Sequence, residues 1–197
     1  MTITWKNYNS VAYSGVLTLN TDIIVYHLGD SMESYFKCLT RPERTRFIKK
    51  ELIKLGHHLG YKVYANGLNE QDLKEIGVEF VNREWLFDIH WYLDADNPYT
   101  VRSLPLAVEC EWNPRRTGDG KTPFSGIKYD FQKLLVTNAE CRLMIFTIKN
   151  LRELQFLGNY FNEAIQGYMQ LPKGSSFLFI AYDAKMLSFH YCSMAKF

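Results

Sequence analysis

Leu106-Ala-Val-Glu-Cys-Glu-Trp-Asn113 alternates as a β-strand does. Val108, Cys110 and Trp112 point one way, and Ala107, Glu109, Glu111 and Asn113 point the other. Two carboxylates therefore share one face of an otherwise apolar strand. Burying such a pair without compensation is costly, so a divalent metal, Lys or Arg partners, or solvent at a sheet edge must hold it. A second strand, expected over 84–92, carries Asp88 and His90 on one face and Phe87, Ile89 and Trp91 on the other. If the two strands are neighbours, Asp88, Glu109 and Glu111 converge. That convergence is the candidate active site.

Downstream, residues 113–126 show no apolar period and are rich in Gly and Pro. This loop leaves directly from the carboxylate strand with Arg115, Arg116 and Lys121, which suit either phosphate contacts or simple solvation. A helix is expected over 126–139, with Ile127, Phe131, Leu134 and Leu135 inward and Asp130, Lys133 and Thr137 on another face. An apolar strand over 141–148 follows. Asn150 and Glu153 then cap a helix over about 151–169, and two strands over 176–182 and 185–194 close the chain.

Upstream, Asp94 to Pro98 is turn chemistry rather than a calcium loop. A brief helix over 69–76 and a strand over 62–66 precede the Asp88 strand. Thr40, Pro42 and Glu43 open a helix that runs to about residue 59, with Ile48, Leu52, Leu55 and Leu59 as its buried stripe. Arg44, Arg46, Lys49, Lys50 and Lys54 on it read as a solvated face, and Glu51 sits beside the stripe. Residues 11–18 and 22–28 read as two short strands, and a short helical piece follows over 31–38.

The 197 residues suffice for one well-cored domain. A content of 47% hydrophobic and 22% charged residues excludes a disordered chain. The formal net charge of +2 neither demands nor excludes nucleic acid. Four scattered cysteines, without zinc-ligand spacing, suit a reducing cytoplasm. No basic start with an apolar run marks a signal peptide, and no apolar run is long enough to span a bilayer.

A helix, three strands, a helix and a further strand, over roughly 40–150, resemble the core of the PD-(D/E)xK nuclease superfamily. The acidic residues resemble its motif: Asp88 matches the acid at the second strand and Glu109 the acid of the third-strand tripeptide. Glu111 stands where that tripeptide has Lys, an E-x-E variant similar to those of some type II restriction endonucleases. The resemblance implies an α/β, restriction-endonuclease-like, three-layer core with a central mixed β-sheet flanked by helices. It implies a single domain over 1–197, with an N-terminal β addition over 1–39 and a C-terminal helix and strands over 151–197. It implies Mg²⁺ or Mn²⁺ held by Asp88, Glu109 and the carbonyl of Cys110, with Glu51 as the acid of the first helix. Glu111 as a base, or Lys133 reaching in from the following helix, would replace the missing Lys; Lys128 is a weaker candidate of that kind. Arg115, Arg116 and Lys121 would grip the DNA backbone.

The expected activity is metal-dependent hydrolysis of duplex DNA, by a homodimer if both strands are cut. A catalytically inert nucleic-acid-binding or protein-interaction module on the same fold is the alternative. A glycosidase using Glu109 and Glu111, roughly 6–7 Å apart by strand rise, is a third reading.

Overall fold

The computed structural model describes residues 3–8, 21–79, 81, 86–97, 100–116, 118 and 120–197. The element order is β1 (Lys6–Asn7), α1 (Thr21–Tyr35), α2 (Arg41–His58), β2 (Lys62–Ala65), α3 (Glu70–Glu75), β3 (Ile89–Asp94), β4 (Val101–Glu111), α4 (Ser125–Leu135), β5 (Cys141–Ile148), α5 (Leu151–Gly167), β6 (Ser176–Asp183) and β7 (Ser188–Ala195), with a 3-10 turn, Phe36–Cys38, after α1. The strands form one mixed seven-stranded sheet in the order β1-β7-β6-β5-β4-β3-β2. β2, β3 and β4 make an antiparallel meander, whereas β4, β5 and β6 run parallel. The parallel neighbours are joined through α4 and α5, because a parallel pair needs a long crossover.

Alternation along the strands divides the core in two. Leu106, Val108, Cys110 and Trp112 pack with Leu143, Ile145, Leu178 and Ile180 beneath α1 and α2. Ala107, Met144, Phe146, Phe177 and Phe179 pack on the opposite face beneath α4 and α5, around Phe131 and Phe161. Helices thus cover both faces of the sheet. Pro105 lies inside β4 without breaking it. The β3–β4 register shifts just there, between Trp91 and Leu93, and pairing with β5 begins only at Leu106. The missing N–H of Pro105 therefore falls at an irregularity of the ladder.

The Thr40 capping box and the Asn150 cap form as the sequence predicts, and Asn69, expected inside the helix over 69–76, is its N-cap. The strand expected over 22–28 is instead the first half of α1. Strand alternation would have split Ile24, Val25 and Leu28 between two faces. On a helix they join Met32 in one stripe, and all four are at most 3% exposed. The N-terminal addition is thus largely helical where it is described, and the strand expected over 11–18 lies outside the described residues. β3 starts at Ile89, so Asp88 precedes the strand rather than lying within it; residues 82–85 lie outside the described ones.

Candidate active site

The C-terminal ends of β4, β5 and β6 share one end of the sheet, and Asp88, just before antiparallel β3, lies at that same end. β3 has not yet begun opposite Cys110, so the Cys110 N–H has no strand partner there. The Asp88 carboxylate takes it instead, Oδ2 accepting from the Cys110 N–H at 2.9 Å. Its other oxygen, Oδ1, lies 3.0 Å from Lys49 Nζ. Lys49 is 5% exposed and also donates to the Asn66 carbonyl at 2.9 Å and to Asn66 Oδ1 at 2.8 Å. A buried ammonium with three acceptors has all its protons satisfied, so Lys49 fixes Asp88.

Glu109 and Glu111 point from β4 toward α4, as the alternation predicts. Glu109 is 2% exposed, and Lys133 Nζ on α4 lies 2.8 Å from its Oε1. The same ammonium lies 2.9 Å from Asp130 Oδ1, so one cation serves two acids. Burial pushes the Glu109 carboxyl up to about 8, with Lys133 opposing the shift and the charge of Asp88 adding to it. Half-buried Glu111 is also raised, by burial and by Asp130, whose carboxyl is within hydrogen-bond reach, while the Asn113 N–H, donating at 2.6 Å, opposes the rise. Lys133 is raised because its two acids outweigh its burial.

Gly126 allows this approach. A Cβ there would stand 2.4 Å from the Asn113 carbonyl oxygen and 3.2 Å from Glu111 Oε2, so only glycine lets α4 start against the carboxylate strand. The loop enters α4 through Phe124, whose φ of 58° is a left-handed backbone that a bulky residue rarely adopts. Arg115 lines a cleft of about 350 Å³ with Asn113, Phe124, Lys149 and Glu153. The Arg116 backbone N–H donates to Ser125 Oγ at 2.9 Å, and its guanidinium lies 3.7 Å from the centre of the Tyr129 ring. Lys121 is exposed.

The structure therefore brings together Asp88, Glu109, Cys110, Glu111 and Lys133. It does not bring in Glu51. Lys49 and Glu51 are about 200° apart around α2, so when Lys49 faces the sheet end Glu51 faces away. Glu51 meets α1 instead, where His27 Nε2 lies 3.2 Å away, Ser31 donates at 3.3 Å, and Lys54 makes a close ion pair from the next turn of α2. His90 is buried, stacks on Tyr64 with ring centres 4.6 Å apart, and is pushed down to about 4 by burial, which keeps it neutral. Lys128 points to Phe156 and Tyr160 rather than to the acids.

Two participants escaped the sequence reading. Asp130 was visible as a face-mate of Lys133, and only the packing of α4 on β4 turns it toward Glu111. Lys49 had a signal: it shares the sheet-facing stripe Thr45, Lys49, Leu52, Gly56, whose other members meet Trp112 and Trp91. A lysine on a buried stripe needs an acid.

Among the described residues, no group of three or more His, Cys, Asp or Glu is arranged to hold a metal ion. Asp88 and Glu109 remain as a pair of hard oxygen donors, beside the backbone of Cys110. No family model, no curated protein and no solved structure matches the chain.

Proposed function

We propose that this chain is a metal-dependent nuclease that hydrolyses phosphodiester bonds in DNA, on a restriction-endonuclease-like fold. The observation that carries the reading is the convergence of Asp88, Glu109 and Glu111 with Lys133 at one sheet end, with the Glu109 carboxyl raised to about 8. Burial raises this acid more than Lys133 lowers it, and the charge of Asp88 adds to the rise. The arrangement of β2 to β5, with α2 and α4 on opposite faces, agrees with the topology that the resemblance implies.

The donor set suits a small, hard dication. Mg²⁺ commonly takes one or two carboxylates and keeps several waters, so Asp88 and Glu109 would suffice without a third acid. The ion would polarise the phosphate and lower the pKa of water. The chain's own groups have separate tasks. Lys49 and the Cys110 N–H fix the Asp88 carboxylate. Lys133 stands in for the missing motif lysine, its ammonium free to turn from Asp130 to a phosphate oxygen. Glu111, held by the Asn113 N–H, accepts the proton of the attacking water.

The anion's approach has a structural basis in the same end of the sheet. α2, α4 and α5 all begin there, and Arg41, Arg115, Arg116 and Lys149 lie beside their starts. No helix among the described residues is long and apolar enough to cross a membrane.

The alternative, an inert module on the same fold, draws on the two lysines that already neutralise Asp88 and Glu109. Cleavage of plasmid and linear DNA in Mg²⁺ or Mn²⁺ separates the two. The nuclease reading expects metal-dependent nicking that Asp88→Ala and Glu109→Ala each reduce by at least about a thousandfold, with a cooperative unfolding transition retained. Wild-type rates in either variant contradict the site, and DNA binding without cleavage supports the inert module.

A further inference from the structure

The outer side of α4 continues the candidate site as a strip of cations and rings. Lys133, which contacts Glu109, lies 5.9 Å from the Tyr129 ring centre. Arg116 covers the same ring at 3.7 Å. On the residue next to Tyr129, Lys128 Nζ lies 4.8 Å from the Tyr160 ring centre and 5.2 Å from that of Phe156, and Phe156 in turn packs on Phe124 at 5.5 Å. Arg116, Lys128, Tyr129, Gln132 and Tyr160 line a shallow cleft of about 310 Å³. Tyr129 and Phe156 stay 47% and 46% exposed, whereas Phe131, Phe146, Phe161, Phe177 and Phe179 on this face are buried beneath α4 and α5.

Exposed rings with cations at their faces suit one ligand chemistry in particular. A duplex hides its base faces, so its phosphates would meet the cations while the rings found no base to stack on. An unpaired strand offers both: bases that stack on Tyr129 and Phe156, or on the Arg116 guanidinium plane, and phosphates that meet Arg116, Lys128 and Lys133. A protein partner would have to bury Arg116 and Lys128, and among the described residues that line the cleft there is no acid to pair with them.

We propose that the strip formed by Arg116, Lys128, Tyr129, Phe156 and Tyr160 binds an unpaired nucleic-acid strand and leads it to the carboxylates. The proposal rests on the nuclease reading for what happens at the end of the strip, but not for the binding itself. It makes the substrate a single strand or a frayed or displaced segment of a duplex.

The test is fluorescence anisotropy in EDTA, where no metal-dependent cleavage can intervene. The probes are a labelled oligothymidine of about ten nucleotides, an abasic oligomer of the same length, and a duplex of the same length. The oligothymidine is expected to bind at least about tenfold more tightly than the other two. Tyr129→Ala and Phe156→Ala should each weaken oligothymidine binding about tenfold and leave the abasic and duplex probes unchanged. Lys128→Gln should weaken oligothymidine and abasic binding alike and flatten the salt dependence. Equal binding of the oligothymidine and the abasic oligomer, tighter binding of the duplex, or indifference to both ring substitutions overturns the proposal. Stacking-dependent binding without cleavage in Mn²⁺ would leave the strip standing and remove the nuclease reading. Cleavage of duplex with no preference for the single strand would do the reverse.

Discussion

Glu109 and Glu51 are two glutamates, each buried against a helix and each paired with a lysine, and their environments drive them in opposite directions. Glu51 sits between α1 and α2. Its burial raises the carboxyl, but His27 and Lys54 outweigh that, and it ends below the ordinary value of 4.5. Glu109 is buried more deeply. Its lysine is shared with Asp130, and Asp88 adds a further negative charge, so it ends near 8. The first cluster is satisfied and holds two helices together. The second is short of positive charge. A lysine partner therefore does not by itself set an acid's state; at Glu109 burial and the neighbouring Asp88 outweigh it, beside an open sheet end.

The sharpest way to break this contrast is to remove the two lysines. Lys133→Ala should lower the rate of metal-dependent DNA cleavage by about a hundredfold or more, since it withdraws the cation paired with Glu109. Lys54→Ala should leave the rate within about twofold, since its partner Glu51 faces away from the site. Comparable losses in both would erase the distinction between the clusters.

Stability against pH gives a smaller but independent reading. The folded protein holds a proton on Glu109 from 4.5 up to about 8, where the unfolded chain has released it. Stability therefore falls as pH rises through that window, by about 5 kcal/mol at most, and Glu109→Gln should remove the fall. Buried His90, pushed from 6.5 down to about 4, acts oppositely: its contribution is full above 6.5 and is lost as pH falls toward 4. The two slopes offset each other between 4.5 and 6.5, so the wild type should lose stability mainly above 6.5, and Glu109→Gln should lose it only in acid. Glu51 has a lowered pKa, so its stabilisation is present above 4.5 and lost below. Glu51→Gln should cost about 1 kcal/mol at neutral pH and leave the alkaline fall in place. Urea unfolding at pH 5, 6.5 and 8 checks all three proteins. An alkaline fall that survives Glu109→Gln would place the unrelieved charge elsewhere.

The same contrast shows what the sequence made legible. Strand alternation put Glu109 and Glu111 on one face because the period of two is rigid and local. Caps at Thr40 and Asn150 were equally local, and so were the helix after the basic loop and the apolar strand over 141–148. The stretch over 22–28 was not legible, because its apolar residues fit a strand alternation as well as a helical stripe, and contact with α2 makes the choice. Asp88 was found, but its position before β3 depends on where pairing stops, which no single strand records. Glu51 was misplaced for a similar reason: beside a helical stripe, a rotation of 200° separates the sheet side from the α1 side, and only Lys49 carried the site-facing direction. Asp130 became visible as a participant only once Gly126 had brought α4 against β4.

The central claim, that Asp88 and Glu109 form a dication site in need of charge, is tested most directly by calorimetric titration with Mn²⁺ at pH 7. Wild type and Glu109→Ala would be titrated in parallel, in two buffers of different ionisation heat. With Glu109 raised to about 8, much of it carries a proton at that pH, so Mn²⁺ binding should release a fraction of a proton, visible as a buffer-dependent heat that Glu109→Ala abolishes together with the binding. Mn²⁺ binding of equal affinity in the two proteins, or none in either at millimolar metal with DNA present, would contradict the account.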